Sequence, residues 1–226
     1  MDAPFEADRA WEYENGFYLT SPVLRLGKAL GQYELYKQIT GLPGDVLEFG
    51  VYKGASLVRL LTFRALLEAE GSRRIWGFDA FGAFPSDAVT GSSDQAFIQR
   101  FEAAGGDGFS ISQIDDHLSA KGFTNYELVP GDVIETLPRV LEQQPQLRIS
   151  LLHLDLDVYE PTAAMLDLLT DRLVPGALIV IDDYGQVEGA TRAVDELARR
   201  LHLTIEKLPI CHVPAFIRWP AGQARS

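Results

Sequence analysis

Short apolar runs and longer amphipathic segments alternate along the chain from residue 45 onward. The runs are rich in β-branched and aromatic residues, as buried strands are, and the segments between them have the period of helices. Strands that are apolar on both faces and alternate with helices form parallel sheets covered on both sides. The pattern predicts an α/β fold with strands at residues 45–49, 74–78, 126–129, 149–154 and 177–181, helices near 55–70, 133–143, 161–172 and 189–201, and a Pro-Gly turn at 174–176.

The last two apolar runs, residues 202–207 and 215–219, lie too close in sequence for a parallel connection. The residues between them include Pro209 and Pro214, whereas a parallel crossover needs about a dozen residues or more. We therefore expect the two runs to pair antiparallel or not to be neighbours. Either outcome argues against a dinucleotide-binding sheet, which is expected to stay parallel to its end.

Two regions fit the sheet pattern poorly. Residues 1–44 have the pattern of helical turns with aromatic side chains, and residues 81–120 form a long insertion with glycines at its centre. Segments of this kind are often lids or substrate loops. We expect one domain, residues 1–226, with a helical N-terminal cap at 1–44 and a lid or substrate insertion at 81–120.

Composition narrows the class of partner. The 226 residues are 46% hydrophobic, enough for one substantial core. The formal net charge of -12 argues against nucleic acid and against an anionic membrane surface, because both favour basic patches. With one cysteine, no signal-peptide pattern and no apolar run of membrane-spanning length, we expect a cytoplasmic protein that binds a small molecule and does not cross a membrane.

The first predicted strand runs into a glycine-bearing turn between Gly50 and Gly54. Glycine permits positive φ and lets a ligand approach the backbone. The spacing Gly-x-x-x-Gly lacks the glycines of a dinucleotide-binding turn, which disfavours a nicotinamide cofactor. Glu48 lies at the end of the strand, next to this turn. Its carboxylate could interact favourably there with the cationic end of a ligand such as S-adenosylmethionine. The candidate cofactor-binding residues here are Glu48, Gly50, Val51, Tyr52, Gly54 and Ser56.

Polar residues also follow the second and third predicted strands. Asp79 lies one strand away from the glycine turn, at a position where a carboxylate grips a ribose diol. Gly131 and Asp132 follow the third strand and are candidates for contact with adenine. In the structural alternative Gly50 and Gly54 only shape the turn, and the two aspartates cap the segments that follow them.

Four aspartates, Asp155, Asp157, Asp182 and Asp183, follow the fourth and fifth predicted strands. Open α/β sheets bind ligands at the carboxyl ends of their strands, so we expect these side chains to converge on one crevice. Alternation places His153, Asp155 and Asp157 on one face if the strand continues that far. Asp182 and Asp183 are adjacent in sequence, so both side chains point inward only if the chain turns directly after them.

The crowding of these carboxylates implies a counter-charge. Carboxylates about 5 Å apart repel by roughly 3 kcal/mol per pair at an effective dielectric constant of about 20. A hard divalent cation would neutralise them, and all-carboxylate ligation favours magnesium, manganese or calcium over zinc. The alternative is that Asp182 and Asp183 cap helices while Asp155 and Asp157 form a solvated edge.

These motifs, in this order, resemble the macrocin O-methyltransferase family, the metal-dependent sugar O-methyltransferases of macrolide and aminocoumarin antibiotic pathways. The resemblance covers roughly residues 10–219 and is carried by LEFGVYKG (47–54), GFDAF (77–81), GDVIETLP (131–138), DLDVY (155–159) and IDDY (181–184). It implies a doubly wound, Rossmann-like class I methyltransferase sheet of seven strands with the last strand antiparallel. Residues 81–85 depart from the family's common acidic residue after the aromatic.

The resemblance also implies roles. The protein would be an S-adenosylmethionine-dependent O-methyltransferase acting on a sugar hydroxyl, of a nucleotide-linked sugar or a glycosylated natural product, chelated by Mg²⁺ or Mn²⁺. By similarity, Asp155, Asp182 and Asp183 would bind the metal, Asp157 would be the general base beside the catalytic Asp155, and Phe81 would join the cofactor-binding residues. A homodimer is also expected.

Other interpretations are open at this point. His153 could be the base in place of Asp157, although a histidine inside a strand is expected in the core. The acceptor could be catechol-like. A nicotinamide-dependent oxidoreductase is disfavoured by the glycine spacing and the terminal hairpin, and a non-catalytic module with a structural calcium ion would also explain the aspartates.

Overall fold

The computed structural model describes residues 5–86 and 88–221, and within them the chain forms a seven-stranded sheet and eight α-helices. Residues 1–4 of the predicted cap, residue 87 of the predicted insertion and residues 222–226 lie outside the described residues. The strands are β1 Asp45–Phe49, β2 Ile75–Asp79, β3 Tyr126–Pro130, β4 Ile149–Leu154, β5 Leu173–Ile181, β6 Ile205–Lys207 and β7 Ala215–Arg218. The helices are α1 Ala10–Thr20, α2 Val23–Lys37, α3 Ala55–Leu67, α4 Ser92–Gly105, α5 Ile111–Ala120, α6 Val133–Gln143, α7 Tyr159–Leu169 and α8 Glu188–Leu201. None of these described helices is long and apolar enough to span a membrane.

The strands lie in the order β3-β2-β1-β4-β5-β7-β6. The five strands β1 to β5 are parallel, whereas β7 runs antiparallel between β5 and β6. The strand order reverses between β1 and β4, and open α/β sheets bind ligands outside the carboxyl ends of the strands at such a point. The predicted α/β fold is confirmed, as is the antiparallel pairing of the last two apolar runs.

Alternation along the central strands divides the core into two layers. Leu47 and Phe49 pack in a cluster with residues of α6, α7 and α8, whereas Val46 packs in a second cluster with residues of α2, α3 and α5. The sheet is therefore covered on both faces, as a doubly wound fold requires. Glu48 alternates onto the face of Val46, in register with His153 on the neighbouring strand.

The predicted turn at residues 174–176 is wrong, because β5 begins at Leu173 and runs through these residues. The register of β5 against β4 shifts between Ile149 and Leu151. Gly176 has φ +86 and donates its N–H to the Trp219 carbonyl at 2.9 Å. An irregularity of this kind lets a strand continue past a proline.

The two regions that fit the sheet pattern poorly are helical. Residues 1–44 contain α1 and α2, and the inner face of α2 buries Gln32, Leu35 and Tyr36. The insertion contains α4 and α5, and a capping box of Ser110 and Gln113 begins α5. The roles of these regions as a cap and a lid stay predictions.

Gly50 fixes the distance between the end of β1 and the segment after β4. It has φ +90, and a Cβ at this position would lie 1.8 Å from the Asp155 carbonyl oxygen. The Asp155 N–H donates to the Phe49 carbonyl at 2.9 Å, which joins the two segments. Glycine is therefore required here by another part of the backbone, whatever ligand also approaches it.

Gly50→Ala is expected to destabilise the protein by about 2 kcal/mol or more, because it combines a strained backbone with a steric overlap. In a chain of this size that change lowers Tm by about 4–8 °C. Gly16→Ala in exposed α1 is the control, since no described heavy atom lies within 4 Å of its Cβ position and alanine favours a helix. Thermal unfolding measures both variants, and a Gly50→Ala protein that melts like wild type would contradict this account of Gly50.

Candidate functional site

A cavity of about 460 Å³ opens at the carboxyl ends of the parallel strands. Gly50 lines it at the end of β1, Asp79 at the end of β2, and Asp155 and Asp182 after β4 and β5. This is the edge of an open α/β sheet where ligands bind. The cavity therefore lies where the sequence predicted a site.

Asp79 holds the glycine turn in place. Its Oδ2 accepts the N–H groups of Val51 at 2.7 Å and Tyr52 at 2.8 Å, and its Oδ1 accepts the N–H of Phe81 at 2.6 Å. A carboxylate offers about four acceptor positions. Three of these positions are taken by the backbone N–H groups of Val51, Tyr52 and Phe81. Because Asp79 also lines the cavity, the remaining position could accept a hydrogen bond from a ligand hydroxyl.

The predicted cofactor-binding residues divide into those on the cavity wall and those behind it. On the wall are Gly50, Val51, Tyr52, Ser56, Asp79, Gly131 and Asp132, whereas Glu48, Gly54 and Phe81 are not among the described lining residues. Gly54, at φ +82, shapes the entry into α3, and Phe81 packs against the core layer of α3. Asp132 also caps α6 by accepting the Ile134 N–H at 2.9 Å.

Glu48 is buried and faces His153 instead of the cavity. Its Oε1 lies 3.1 Å from His153 Nδ1, and Nε2 of the same ring lies 3.6 Å from Asp182 Oδ1. Burial would lower the pKa of His153, but the carboxylates of Asp182 and Glu48 outweigh burial and raise this pKa to about 10. His153 is therefore an enclosed cationic partner of two acids, which agrees with its interpretation as a core residue and not as a base.

Strand register brings the four aspartates together. β4 and β5 end in register, so Asp155 and Asp182 continue adjacent strands. Asp157 has φ 62, and its N–H donates to Asp183 Oδ2 at 3.1 Å. Asp155, Asp157 and Asp183 offer oxygens within 4.8 Å of one another, and Asp155 forms a second such group with Asp182 and His153. All four aspartates line the cavity, which is the convergence that the sequence predicted.

Asp182 is neutralised by two cationic side chains of the protein itself. Lys28 donates from Nζ to its Oδ2, and His153 faces its Oδ1. Burial would raise the pKa of Asp182, but His153 and Lys28 lower this pKa to about 2. The chain therefore supplies part of the counter-charge that the sequence analysis assigned to a bound cation.

The other three carboxylates crowd one another. Burial, followed by the charges of Asp182 and Asp183, raises the pKa of Asp155 well above its ordinary value. Burial, followed by Asp157 and Asp182, likewise raises the pKa of Asp183. Burial and Asp155 raise the pKa of Asp157 to about 7. These shifts express the free energy needed to hold several negative charges close together in a partly buried site, and a divalent cation would lower this free energy.

The donor set fits a hard divalent cation. All four side chains are carboxylates, the ligand type that Mg²⁺ and Mn²⁺ prefer. Asp182 is 7% exposed and Asp183 is 8% exposed. Asp182 Oδ1 has the ion-pair contact with His153 Nε2 at 3.6 Å and, within the described part of the chain, no hydrogen-bond partner. Its other oxygen is held by Lys28, so a metal at Asp182 would have to compete with these cations.

Basic side chains on the cavity wall were missed by the sequence analysis. Lys28 lies four residues before the buried Gln32 on α2, and Arg59 lies three residues after the buried Ser56 on α3. Arg59 Nη1 donates to Gln32 Oε1 at 3.1 Å. A basic residue at an inward helical position was the available signal. The basic residues on the described cavity wall are Arg25, Lys28, Lys53 and Arg59.

The insertion closes one side of the cavity. Tyr52 Oη and Lys53 Nζ each donate to the Gly105 carbonyl at 2.7 Å. The Phe109 N–H donates to the Tyr52 carbonyl at 2.9 Å. The glycine turn is therefore joined to the segment between α4 and α5. Apolar wall residues from the insertion include Phe84, Pro85, Val89 and Phe101.

Known proteins share this sequence pattern. The family described as macrocin-O-methyltransferase (TylF) matches residues 34–218. The chain is 30% identical, over 82% of its length and 70% of the relative, to the 8-demethyl-8-(2,3-dimethoxy-alpha-L-rhamnosyl)-tetracenomycin-C 4'-O-methyltransferase of Streptomyces olivaceus. The chain is also 26% identical to the demethyldecarbamoylnovobiocin O-methyltransferase of Streptomyces niveus. This match covers 75% of the chain and 63% of the relative.

A solved structure shares the fold over nearly the whole chain. The calicheamicin methyltransferase CalS11 matches with a TM-score of 0.70 at 28% identity, covering 97% of this chain and 88% of that one. The apo structure of CalS11, described as a TDP-rhamnose 3'-O-methyltransferase, matches with a TM-score of 0.67 at 29% identity. It covers 97% of this chain and 89% of the CalS11 chain. The arrangement of the strands is therefore that of a methyltransferase sheet.

Glu48→Gln is expected to destabilise the protein by about 3 kcal/mol, because it removes one partner of a buried charged histidine. Urea unfolding measures this loss, and titration with S-adenosylhomocysteine measures cofactor binding separately. Glu127→Gln, on the exposed part of β3, is the control. A Glu48→Gln protein with wild-type stability and weakened binding would instead make Glu48 a cofactor contact.

Proposed function

This chain belongs to the macrocin O-methyltransferase family and is an S-adenosylmethionine-dependent O-methyltransferase, and on that premise we propose that it methylates a sugar hydroxyl held by a divalent metal ion. The observation that carries the proposal is that Asp155, Asp157, Asp182 and Asp183 line the same cavity as the glycine turn. Asp155 is shared by two groups of possible ligands, one with Asp157 and Asp183 and one with Asp182 and His153. A donor bound at the turn and an acceptor bound at the aspartates would share one cavity, as direct transfer requires.

The names of the relatives support a sugar as the acceptor. The tetracenomycin enzyme is named for a rhamnosyl substrate, and the apo CalS11 structure is described by TDP-rhamnose. We therefore propose a deoxysugar hydroxyl, on a glycosylated natural product or a nucleotide-linked sugar of an antibiotic pathway. Membership of an O-methyltransferase family leaves the oxidoreductase and the non-catalytic module without support.

The cofactor is proposed to lie along the wall from the glycine turn to the end of β3. Ser56 and the backbone of the turn line one part of this wall, and Gly131 and Asp132 line another. Asp79 keeps an acceptor position for a ribose hydroxyl. Glu48 would act indirectly, because it lies behind the turn and holds His153 beside Asp182.

Asp155, Asp182 and Asp183 are proposed to hold the metal, Mg²⁺ or Mn²⁺. When bound, such a cation lowers the pKa of an oxygen ligand, which an alcohol acceptor needs. Gly50 holds the Asp155 backbone against the end of β1, so the acceptor side of the cavity is fixed relative to the cofactor side. Positioning of this kind accounts for a large part of enzymatic acceleration.

Asp157 is proposed to accept the proton of the hydroxyl. Its left-handed backbone is held by the N–H bond to Asp183 and by its own carbonyl, which accepts the Ala190 N–H at 3.2 Å. Aspartate adopts this left-handed region more readily than most residues, and these two hydrogen bonds fix the backbone in it. The same geometry brings the Asp157 carboxyl close to those of Asp155 and Asp183, with which it could share a metal ion. Asp157 could therefore act as the base or as a further metal ligand, and an experiment must separate these two roles.

Asp157→Asn is expected to lower kcat by about 100-fold or more, because an amide cannot accept the proton. Its affinities for S-adenosylhomocysteine and Mn²⁺, measured by calorimetry, are expected to stay at wild-type values. Asp167→Asn, an exposed acid of α7, is the control. Unchanged turnover rejects Asp157 as the base, and a loss of Mn²⁺ affinity moves it into the ligand set.

The function is tested by methyl transfer from labelled S-adenosylmethionine to TDP-rhamnose, to a rhamnosyl-tetracenomycin and to a catechol. We expect transfer to a rhamnose-bearing acceptor, its loss in chelator and its recovery with Mg²⁺ or Mn²⁺. Transfer to the catechol alone would reject the sugar. Transfer that persists in chelator would reject the metal.

A further inference from the structure

A cation of the protein reaches into the aspartate cluster. Lys28 extends from α2, and its Nζ donates to Asp182 Oδ2. The Lys28 side chain is 19% exposed and that of Asp182 is 7% exposed, so this ion pair is largely buried. A buried charge is stable only where an opposite charge compensates the lost hydration. Lys28 is therefore held in this position by the carboxylates.

The helix that carries Lys28 is docked firmly at this point. Gln32, one turn after Lys28, is buried and accepts a hydrogen bond from Arg59 at 3.1 Å. Leu35 and Tyr36, farther along the same face, are part of the buried core. The inner face of α2 thus directs the Lys28 side chain toward Asp182.

Asp182 has two cationic neighbours of unequal mobility. His153 is part of β4 and is held on its other side by Glu48. Lys28 is attached through a flexible four-carbon chain, and a lysine ammonium can leave a carboxylate by rotating that chain. Of the two cations, Lys28 is the one that can move away without disturbing the sheet.

We propose, on the basis of the metal site proposed above, that Lys28 is a resident counter-ion that competes with the divalent metal for Asp182 and so sets the metal affinity of the site. In the metal-free protein Lys28 compensates the charge of Asp182. A metal that takes this carboxylate as a ligand must displace the ammonium or bind beside it against charge repulsion. Where the metal displaces the ammonium, the Lys28–Asp182 contact is lost, while the buried face of α2 stays in place.

The test compares three chelator-stripped proteins by calorimetric titration with Mn²⁺. Lys28→Met removes the charge and keeps a long apolar chain, and Lys28→Arg keeps the charge. We expect Lys28→Met to bind Mn²⁺ about tenfold more tightly than wild type, and Lys28→Arg to bind it no more tightly than wild type. In chelator Lys28→Met is expected to melt below wild type, and saturating Mn²⁺ is expected to remove this difference.

The outcomes separate this proposal from the metal site itself. Wild-type or weaker Mn²⁺ binding by Lys28→Met overturns the competition and leaves the metal site standing. A lack of Mn²⁺ binding by all three proteins rejects the metal and the competition together. If Lys28→Met does not fold, Lys28→Gln, which also removes the charge, takes its place in the titration, and Mn²⁺ binding no tighter than that of wild type overturns the proposal.

Discussion

Like charges gathered at one edge of the sheet are the constraint on which the rest of this structure depends. Parallel strands in register bring Glu48, Asp155 and Asp182 to one face, and burial makes each of these charges costly. The chain compensates part of the cost itself, by enclosing His153 between two acids and by directing Lys28 from α2 onto Asp182. Direct ion pairs stop at Asp182, and the longer-range charges of His153 and Lys28 leave the pKa of Asp155 still raised. The remaining crowding is what makes the cavity suited to a divalent cation.

The two halves of the proposed site are joined by the backbone. Asp79 binds the turn after β1 through two of its N–H groups, and Gly50 lets the Asp155 backbone contact the end of β1. The distance between the cofactor wall and the aspartates is therefore set by main-chain contacts. Methyl transfer needs this kind of fixed alignment, because small displacements of a donor and acceptor are costly in rate.

The sequence predicted the strands and the acidic cluster, because each of these leaves a pattern within a short stretch of residues. Buried parallel strands leave continuous apolar runs, so β1 to β5 could be located, and the short spacer that contains Pro209 and Pro214 predicted the antiparallel end. Acids directly after two such runs predicted the position of the cluster. The turn expected around Gly176 was wrong because a bulge lets a strand contain a proline, and no local pattern separates the two.

The contacts that sequence analysis missed depend on long-range docking. Glu48 stays a predicted cofactor residue, but its contact with His153 could not be foreseen, because it is set by the register of β1 against β4, which are more than a hundred residues apart. Lys28 lies 154 residues from Asp182 in sequence, and only the packing of α2 brings it to the cluster. Its inward position among buried residues was visible in the helical period, although the partner was not.

The central claim is that this carboxylate cluster binds a divalent metal in the cavity shared with the cofactor. Anomalous diffraction from a crystal grown with Mn²⁺ and S-adenosylhomocysteine tests it most directly. We expect a manganese peak within bonding distance of Asp155, Asp182 and Asp183, with Lys28 displaced from Asp182. A cluster without a manganese peak, with Lys28 still on Asp182 beside bound S-adenosylhomocysteine, would contradict the claim.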